Sequence, residues 1–120
     1  LAKGSLPKLS ELYIGGNQIS DSGIIAIADA IEPTPENPMG SLWALTLLAL
    51  DRNQVGNAGM EAFSTAISSG SLPNLETLLL NGNEIGDAGM IAFAEALKPT
   101  DESPGQALAS LRVLDLVGNQ

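Results

Sequence analysis

Apolar side chains recur along this chain in one template that appears four times. The first copy spaces Leu9, Leu12, Ile14 and Ile19 around Asn17. The same spacing returns in Leu45, Leu48, Leu50, Asn53 and Val55, in Leu75, Leu78, Leu80, Asn83 and Ile85, and, cut short, in Leu111, Leu114, Leu116 and Asn119. When residues 67–120 are aligned without a gap on residues 1–54, 25 of 54 positions are identical. Similarity at a fixed period is typical of a repeat array.

Each copy of the template predicts a short strand followed by a turn. Pairs such as Leu12 and Ile14 alternate with period two, which turns one strand face inward. The asparagine three residues later lies in the turn, where its carboxamide can bond to the backbone of its own turn and of the next coil. Since an unpaired buried amide costs on the order of 1–3 kcal/mol, we expect a structural ladder of Asn17, Asn53, Asn83 and Asn119.

A helix is predicted after each turn. Asp21, Asn57 and Asp87 stand at the same distance from the ladder asparagines, and we expect each to cap the helix that begins there. Apolar residues then recur at i, i+3 and i+7, a stripe that should face the strands. The stripe consists of Ile24, Ile27 and Ile31, then Met60, Phe63 and Ile67, then Met90, Phe93 and Leu97.

The repeats alternate in length, because successive ladder asparagines are 36, 30 and 36 residues apart. The six extra residues fall in 32–38 and 98–104, where prolines end the preceding helices. We expect both loops at the same edge, either as spacers or as binding elements. Residues 1–120 should form a single domain of about 3.5 repeats. Because the fourth copy stops mid-template, we expect an excerpt of a longer chain.

With these motifs the chain resembles leucine-rich repeat proteins over essentially its whole length. Leu-x-x-Leu-x-Leu-x-x-Asn-x-Ile, followed by a capping residue, a Gly and an Ala-rich helix, is similar to the ribonuclease-inhibitor-like subfamily. The resemblance implies an α/β solenoid, a horseshoe with parallel strands on the concave face and α-helices on the convex face. It also implies an intracellular protein-binding scaffold. The repeats are longer than is usual in that subfamily, and Asn replaces its Cys, so no particular ligand is carried over.

Composition narrows the classes of partner. With 14 acidic and 5 basic residues the net charge is −9, which repels phosphate backbones and anionic lipid. We therefore expect another protein as partner, with no nucleic acid and no membrane. No apolar run reaches the roughly 18 residues of a membrane span. The absence of cysteine disfavours a secreted disulfide scaffold, so we expect an intracellular and most simply cytoplasmic protein, with an organelle left open.

The residues needed for catalysis are missing from the sequence. There is no His and no Cys, and the acidic residues do not cluster at ligand spacing. A Ca²⁺ site of Asp21, Asp51 and Asp87 is disfavoured, because these residues lie in different structural roles one repeat apart. We therefore expect no enzyme activity, no cofactor and no metal.

A candidate partner-binding surface follows from the strand positions that point away from the core. Three columns are expected on the concave face: Glu11, Leu47, Thr77 and Val113; Tyr13, Ala49, Leu79 and Asp115; and Gly15, Asp51, Asn81 and Val117, with Arg52 beside the last. Six of these form an apolar strip that we expect to be exposed: Tyr13, Leu47, Ala49, Leu79, Val113 and Val117. The strip is either a contact surface or a set of ordinary strand-forming residues.

The size of this face bears on the function. Four strands about 4.8 Å apart offer roughly 200–400 Å², less than the ~800 Å² per partner of a standard interface. Further repeats, the proline-rich loops or burial of the coil ends in a larger assembly would have to add area. Two functions therefore stay open at this point, a protein-protein interaction scaffold and a structural subunit of a large complex. A regulatory or sensor repeat region of an immune receptor or GTPase regulator is a further alternative to the scaffold.

Overall fold

A computed structural model describes residues 9–38, 40–98 and 107–119. Short strands and helices alternate along these residues. The strands are β1 (Glu11–Tyr13), β2 (Leu47–Ala49), β3 (Thr77–Leu79) and β4 (Val113–Asp115), and the helices between them are α1 (Asp21–Ile31), α2 (Asn57–Ser68) and α3 (Asp87–Ala96). We number the coils 1 to 4 by their strands.

The four strands form one open parallel sheet in the order β1-β2-β3-β4. Helix α1 packs on α2, and α2 packs on α3, so the helices form a second layer behind the sheet. The strand register places four leucines side by side: Leu12, Leu48, Leu78 and Leu114. The predicted α/β solenoid of parallel strands and helices is thereby confirmed.

The core lies between the sheet and the helices and is filled by aliphatic side chains and two phenylalanines. Phe63 of α2 and Phe93 of α3 are buried against the leucine row, as the helical stripe predicts. Burial is uneven along the stack, because Leu48 is 2% exposed whereas Leu114 in the same row is 38% exposed. Leu48 in β2 is therefore covered by a neighbouring coil on each side, whereas Leu114 in β4 has a described neighbour only on the β3 side.

The ladder asparagines connect coils through their carboxamides. Asn53 is buried, and its Oδ1 accepts hydrogen bonds from the backbone N–H groups of Asn17 (3.0 Å) and Ile19 (2.9 Å). Its Nδ2 donates to the carbonyls of Ile14 and Leu50, both at 3.0 Å. The expectation that these side chains bond to the next coil was wrong, since they reach back to the preceding one. They lean that way because the preceding turn leaves its N–H and carbonyl groups without backbone partners.

Asn83 and Asn119 repeat this pattern one and two coils further on. The Oδ1 of Asn83 accepts from the N–H of Val55, and that of Asn119 accepts from the N–H of Ile85, each at 3.0 Å. Each Nδ2 also donates to one carbonyl of the preceding coil and one of its own. Asn17, in contrast, is exposed, and its Nδ2 donates to the carbonyl of Gly15 in its own turn.

A second set of acceptors joins the helix starts, and it corrects the expected capping. Asp21 and Asn57 are the first helical residues rather than the caps, and no cap side chain bonds to its own helix. Instead the Oδ1 of Asp21 accepts from the N–H groups of Gly56 (2.7 Å) and Gly59 (2.9 Å) at the start of α2. The Oδ1 of Asn57 likewise accepts from the N–H groups of Gly86 and Gly89 at the start of α3, both at 2.8 Å. The cap positions of α2 and α3 are glycines, so the acceptor has to come from the preceding coil.

Glycine leaves the space that this arrangement needs. A Cβ atom at Gly59 would lie 2.6 Å from the Asp21 Oδ1, and one at Gly89 would lie 2.8 Å from the Asn57 Oδ1. Any side chain there would displace the acceptor. The repeated Gly-x-x-Gly of residues 56–59 and 86–89 is therefore the sequence signature of helix starts that are capped from the neighbouring coil.

The first insertion loop forms its own turn after α1. The backbone of Thr34 and Asn37 exchanges two hydrogen bonds of 3.0 Å. The hydroxyl of Ser71 in coil 2 donates to the carbonyl of Ile31 at 2.9 Å, which fixes the end of α1. The second loop, residues 99–104, lies outside the described residues, and so does the expectation that both loops share an edge.

Candidate functional site on the strand face

The strand register aligns the candidate residues in columns across the sheet. One column runs Glu11, Leu47, Thr77, Val113, and the next runs Tyr13, Ala49, Leu79, Asp115. Backbone hydrogen bonds continue beyond the strands, from the N–H of Gly16 to the carbonyl of Asp51 and from the N–H of Arg52 to the carbonyl of Asn81. The third column is therefore held as firmly as the first two.

Exposure differs among the residues of the apolar strip. Tyr13 is 63% and Val117 76% exposed, and Val113 is also exposed. Leu47 and Leu79 are half-buried, as is Thr77. Ala49 is 3% exposed, so the expectation that it forms part of the exposed surface was wrong. Its methyl group is covered because Tyr13 and Leu79, the larger neighbours in its column, stand on either side. The surface of the apolar strip is therefore recessed at its centre, where Ala49 lies.

Charged groups lie beside this strip. The Tyr13 hydroxyl donates to the Glu11 Oε1 at 3.3 Å. The negative charge of Glu11 raises the pKa of the Tyr13 phenol, with smaller contributions from desolvation and from this hydrogen bond. The phenol therefore keeps its proton, which it donates to Glu11. At the other end, the Asp115 Oδ1 accepts from the N–H of Val117 at 3.1 Å.

An ion pair joins Asp51 of the third column to Arg52 beside it. The Arg52 Nε is 3.2 Å from the Asp51 Oδ2, and the Asp51 side chain is 17% exposed whereas that of Arg52 is 75% exposed. Asp51 packs against Gly15, where a Cβ atom would lie 2.5 Å from its Oδ1. The carboxylate is therefore set into the face, while the guanidinium projects from it.

The backbone of Arg52 is strained. Its φ is +54°, and the equivalent residues of the other coils are Gly16, Gly82 and Gly118, with φ of +72°, +72° and +78°. A left-handed conformation costs an L-residue roughly 1–2 kcal/mol. Gln18, Leu72 and Leu108 also have a positive φ, of +59°, +55° and +53°, and Leu72 and Leu108 are buried in the core, so this conformation occurs at structural positions too. Because glycine occupies the equivalent positions 16, 82 and 118, the sequence alone could have indicated that Arg52 adopts a left-handed conformation.

Comparison with protein families agrees with the strand and helix geometry. The family model described as Leucine Rich repeat matches residues 5–28, 45–64 and 71–94, more than half of the chain. The chain belongs to the leucine-rich repeat family. No curated protein matches the sequence at a significant level. Leucine-rich repeat domains generally mediate protein-protein interaction, and the repeat is a typical non-catalytic interaction fold.

Within residues 9–38, 40–98 and 107–119, no group of three or more His, Cys, Asp or Glu side chains could hold a metal ion. The helices of that part of the chain are all too short or too polar to cross a membrane.

Proposed function

We propose that this leucine-rich repeat chain is a non-catalytic scaffold that binds another protein through its concave strand face. The observation that carries the proposal is the apolar surface around Tyr13, Val113 and Val117, exposed in three columns of one sheet. Solvent-facing strand positions without a partner are usually polar, and exposed aromatic residues are enriched at interfaces.

The recessed centre of the apolar strip, at Ala49, can accommodate an apolar side chain of the partner. Ala49 lies between Tyr13 and Leu79 in adjacent strands, which are about 4.8 Å apart. A partner side chain placed over Ala49 would contact a ring on one side and an isobutyl group on the other. Contacts to a buried aromatic anchor carry much of the energy of typical interfaces.

Charge indicates the polar part of the partner. Glu11 and Asp115 border the strip, and the chain as a whole carries −9. Arg52 adds a projecting guanidinium beside the third column. A partner with apolar side chains flanked by basic ones, and one carboxylate opposite Arg52, would complement this face.

The area of the face requires further contacts. Roughly 200–400 Å² across four strands is less than half of a standard interface. We propose that the loop of residues 33–38, or further repeats of the same protein, supply the rest. Either addition would extend the same surface.

The test is a pair of substitutions that remove equally exposed apolar side chains. Tyr13 on the concave face is 63% exposed, and Ile91 on α3 of the convex face is 62% exposed. A partner is captured with the tagged chain, purified, and titrated calorimetrically against both variants. Tyr13→Ser should weaken binding about tenfold or more, and Ile91→Ser should leave Kd unchanged.

Circular dichroism of both variants serves as the folding control. If Ile91→Ser weakened binding as much as Tyr13→Ser, with both chains folded, the partner would bind elsewhere and the concave-face proposal would be wrong.

A second candidate function is a structural subunit of a large complex, and the open leucine row favours it. Leu114 is 38% exposed, whereas Leu48 and Leu78 of the same row are buried, so a neighbouring subunit packed on β4 would bury it. Hydrogen exchange on the assembled complex distinguishes the two functions. Protection of the strand columns in β1, β2 and β3 supports the scaffold, and protection confined to β4 and the residues that flank it supports the subunit.

We further propose that the chain belongs to the ribonuclease-inhibitor-like subfamily and acts inside the cell. Helices of 10 to 12 residues between three-residue strands support the first, since that subfamily pairs each strand with a full helix. The lack of cysteine supports the second. A regulatory region of an immune receptor or GTPase regulator is compatible with both.

A further inference from the structure

A groove on the convex face lies between α2 and α3 and has a volume of about 350 Å³. Four residues of α2 and three of α3 line it: Glu61, Ser64, Thr65, Ser68, Ala92, Glu95 and Ala96. The α2 residues follow i, i+3, i+4 and i+7 spacing, which places them on one helix face. The groove combines small alanines with hydroxyl groups and two carboxylates, and it is separate from the strand face.

The repeat pattern shows that α2 departs from the other helices at this groove. Glu61 occupies the position of Ile25 in α1 and Ile91 in α3, and Ser64 occupies the position of two alanines. Both departures exchange an apolar side chain for a polar one. Solubility alone explains an exposed Glu61, but it does not explain a hydroxyl at a buried position.

The hydroxyl of Ser64 has no hydrogen-bond partner among the described residues, although the residue is 3% exposed. The neighbouring hydroxyls are engaged, since Thr65 donates to the carbonyl of Glu61 at 3.1 Å and Ser68 to that of Thr65 at 2.9 Å. A buried polar group without a partner destabilises the chain unless something bonds to it. Ser64 therefore offers an acceptor to a ligand that carries donors.

We propose that this groove binds an arginine side chain from a basic segment of another protein. The aliphatic stem would lie along Ala92 and Ala96, as long basic side chains do on apolar surfaces. The guanidinium would meet the carboxylates of Glu61 and Glu95 and, after a small shift at the rim, the Ser64 hydroxyl. Its five donors fit this mixed set of oxygens, and the net charge of −9 draws a cation toward it.

The chain already places a cation beside this groove. Lys98 Nζ is 3.2 Å from the Glu95 Oε2, and both side chains are 64% exposed. An ion pair this exposed is weak and exchanges readily. The incoming guanidinium would therefore displace Lys98 at little cost and leave it in solvent.

The experiment titrates the 120-residue chain with N-acetyl-arginine methylamide and follows its amide resonances by NMR. The neutral isostere N-acetyl-citrulline methylamide and calcium chloride are titrated separately. Arginine should give saturable shifts at millimolar concentration, confined to amides of residues 61–68 and 92–96. Glu61→Gln and Ser64→Ala should each weaken binding about two- to fivefold. Glu84→Gln, which removes an exposed carboxylate outside the groove, should change nothing.

Several results would overturn the proposal. Equal shifts with citrulline would remove the role of charge, and shifts spread over all acidic positions would indicate general ion attraction. Saturation of the groove by calcium at lower concentration would assign it to a cation instead. Ser64→Ala deletes a hydroxyl that makes no bond, so its melting temperature should not fall, and unchanged arginine affinity in that folded variant would also contradict the assignment.

Discussion

The second coil and the outer coils have the same template but differ in what surrounds them. In coil 2, Leu48 and Asn53 are buried, and the turn accepts a hydrogen bond from coil 1 and donates one to coil 3. In coil 1 the equivalent Asn17 is exposed, and in coil 4 the equivalent Leu114 is partly so. The comparison teaches that the template specifies the position of each residue, whereas its energetic contribution depends on the coils on either side.

The largest expected effect is a truncation in the leucine row. Leu48→Ala should lower the free energy of unfolding by about 3–5 kcal/mol, because the cavity lies between two packed layers. Leu114→Ala should cost less than about 1.5 kcal/mol, since a side chain that is 38% exposed loses less burial. Urea denaturation of both variants measures the difference. Equal losses would show that β4 is as well packed as β2.

The next effect concerns the asparagine ladder. Asn53→Ala removes one acceptor and one donor group that serve Asn17, Ile19 and Ile14, and should cost about 2–3 kcal/mol. Asn17→Ala removes a single exposed bond to Gly15 and should cost less than about 1 kcal/mol. Thermal unfolding followed by circular dichroism gives both values. A larger loss of stability for Asn17→Ala than for Asn53→Ala would contradict the finding that each asparagine bonds to the preceding coil.

A smaller effect is expected at the helix starts. Asp21→Ala should destabilise the chain by about 1 kcal/mol, the usual contribution of a helix cap, although the helix it caps begins at Asn57. Asp21→Asn keeps an acceptor and should restore most of the loss. The site of the effect is diagnostic, because amide exchange should rise at the start of α2 and not at the start of α1.

The smallest predicted change has the opposite sign. Arg52→Gly relieves a left-handed φ of +54°, and we expect the free energy of unfolding to rise by about 0.5–1 kcal/mol after the added chain entropy of glycine is subtracted. The same variant should bind the partner of the concave face more weakly. A gain in stability with unchanged affinity would show that Arg52 has no role in binding.

Much of this fold could be predicted from the sequence, because aliphatic spacing reports directly on burial. Periodicity alone assigns Leu48 and Phe63 to the core, and both residues lie there. Less could be predicted for contacts that cross between coils. Asp21 lies where a cap for its own helix is expected, and only the glycines at 56 and 59 indicate that its acceptor serves the next helix.

Prediction from sequence has the same limit on the concave face. Strand parity identifies Ala49 as a residue of that face, yet its exposure depends on the sizes of Tyr13 and Leu79 in neighbouring strands. Parity reports the direction of a side chain, and burial depends on its neighbours. The unpaired hydroxyl of Ser64 is likewise visible only once two helices are packed together.

Residue-resolved hydrogen exchange of the unmodified chain tests most directly whether each coil completes the hydrogen bonding of its neighbour. The N–H groups of Val55, Gly56 and Gly59 donate to side chains of adjacent coils, Asn83 for the first and Asp21 for the other two. We predict that these three amides exchange as slowly as the amides of β2. Exchange at the rate of open turns, with β2 itself protected, would contradict the account.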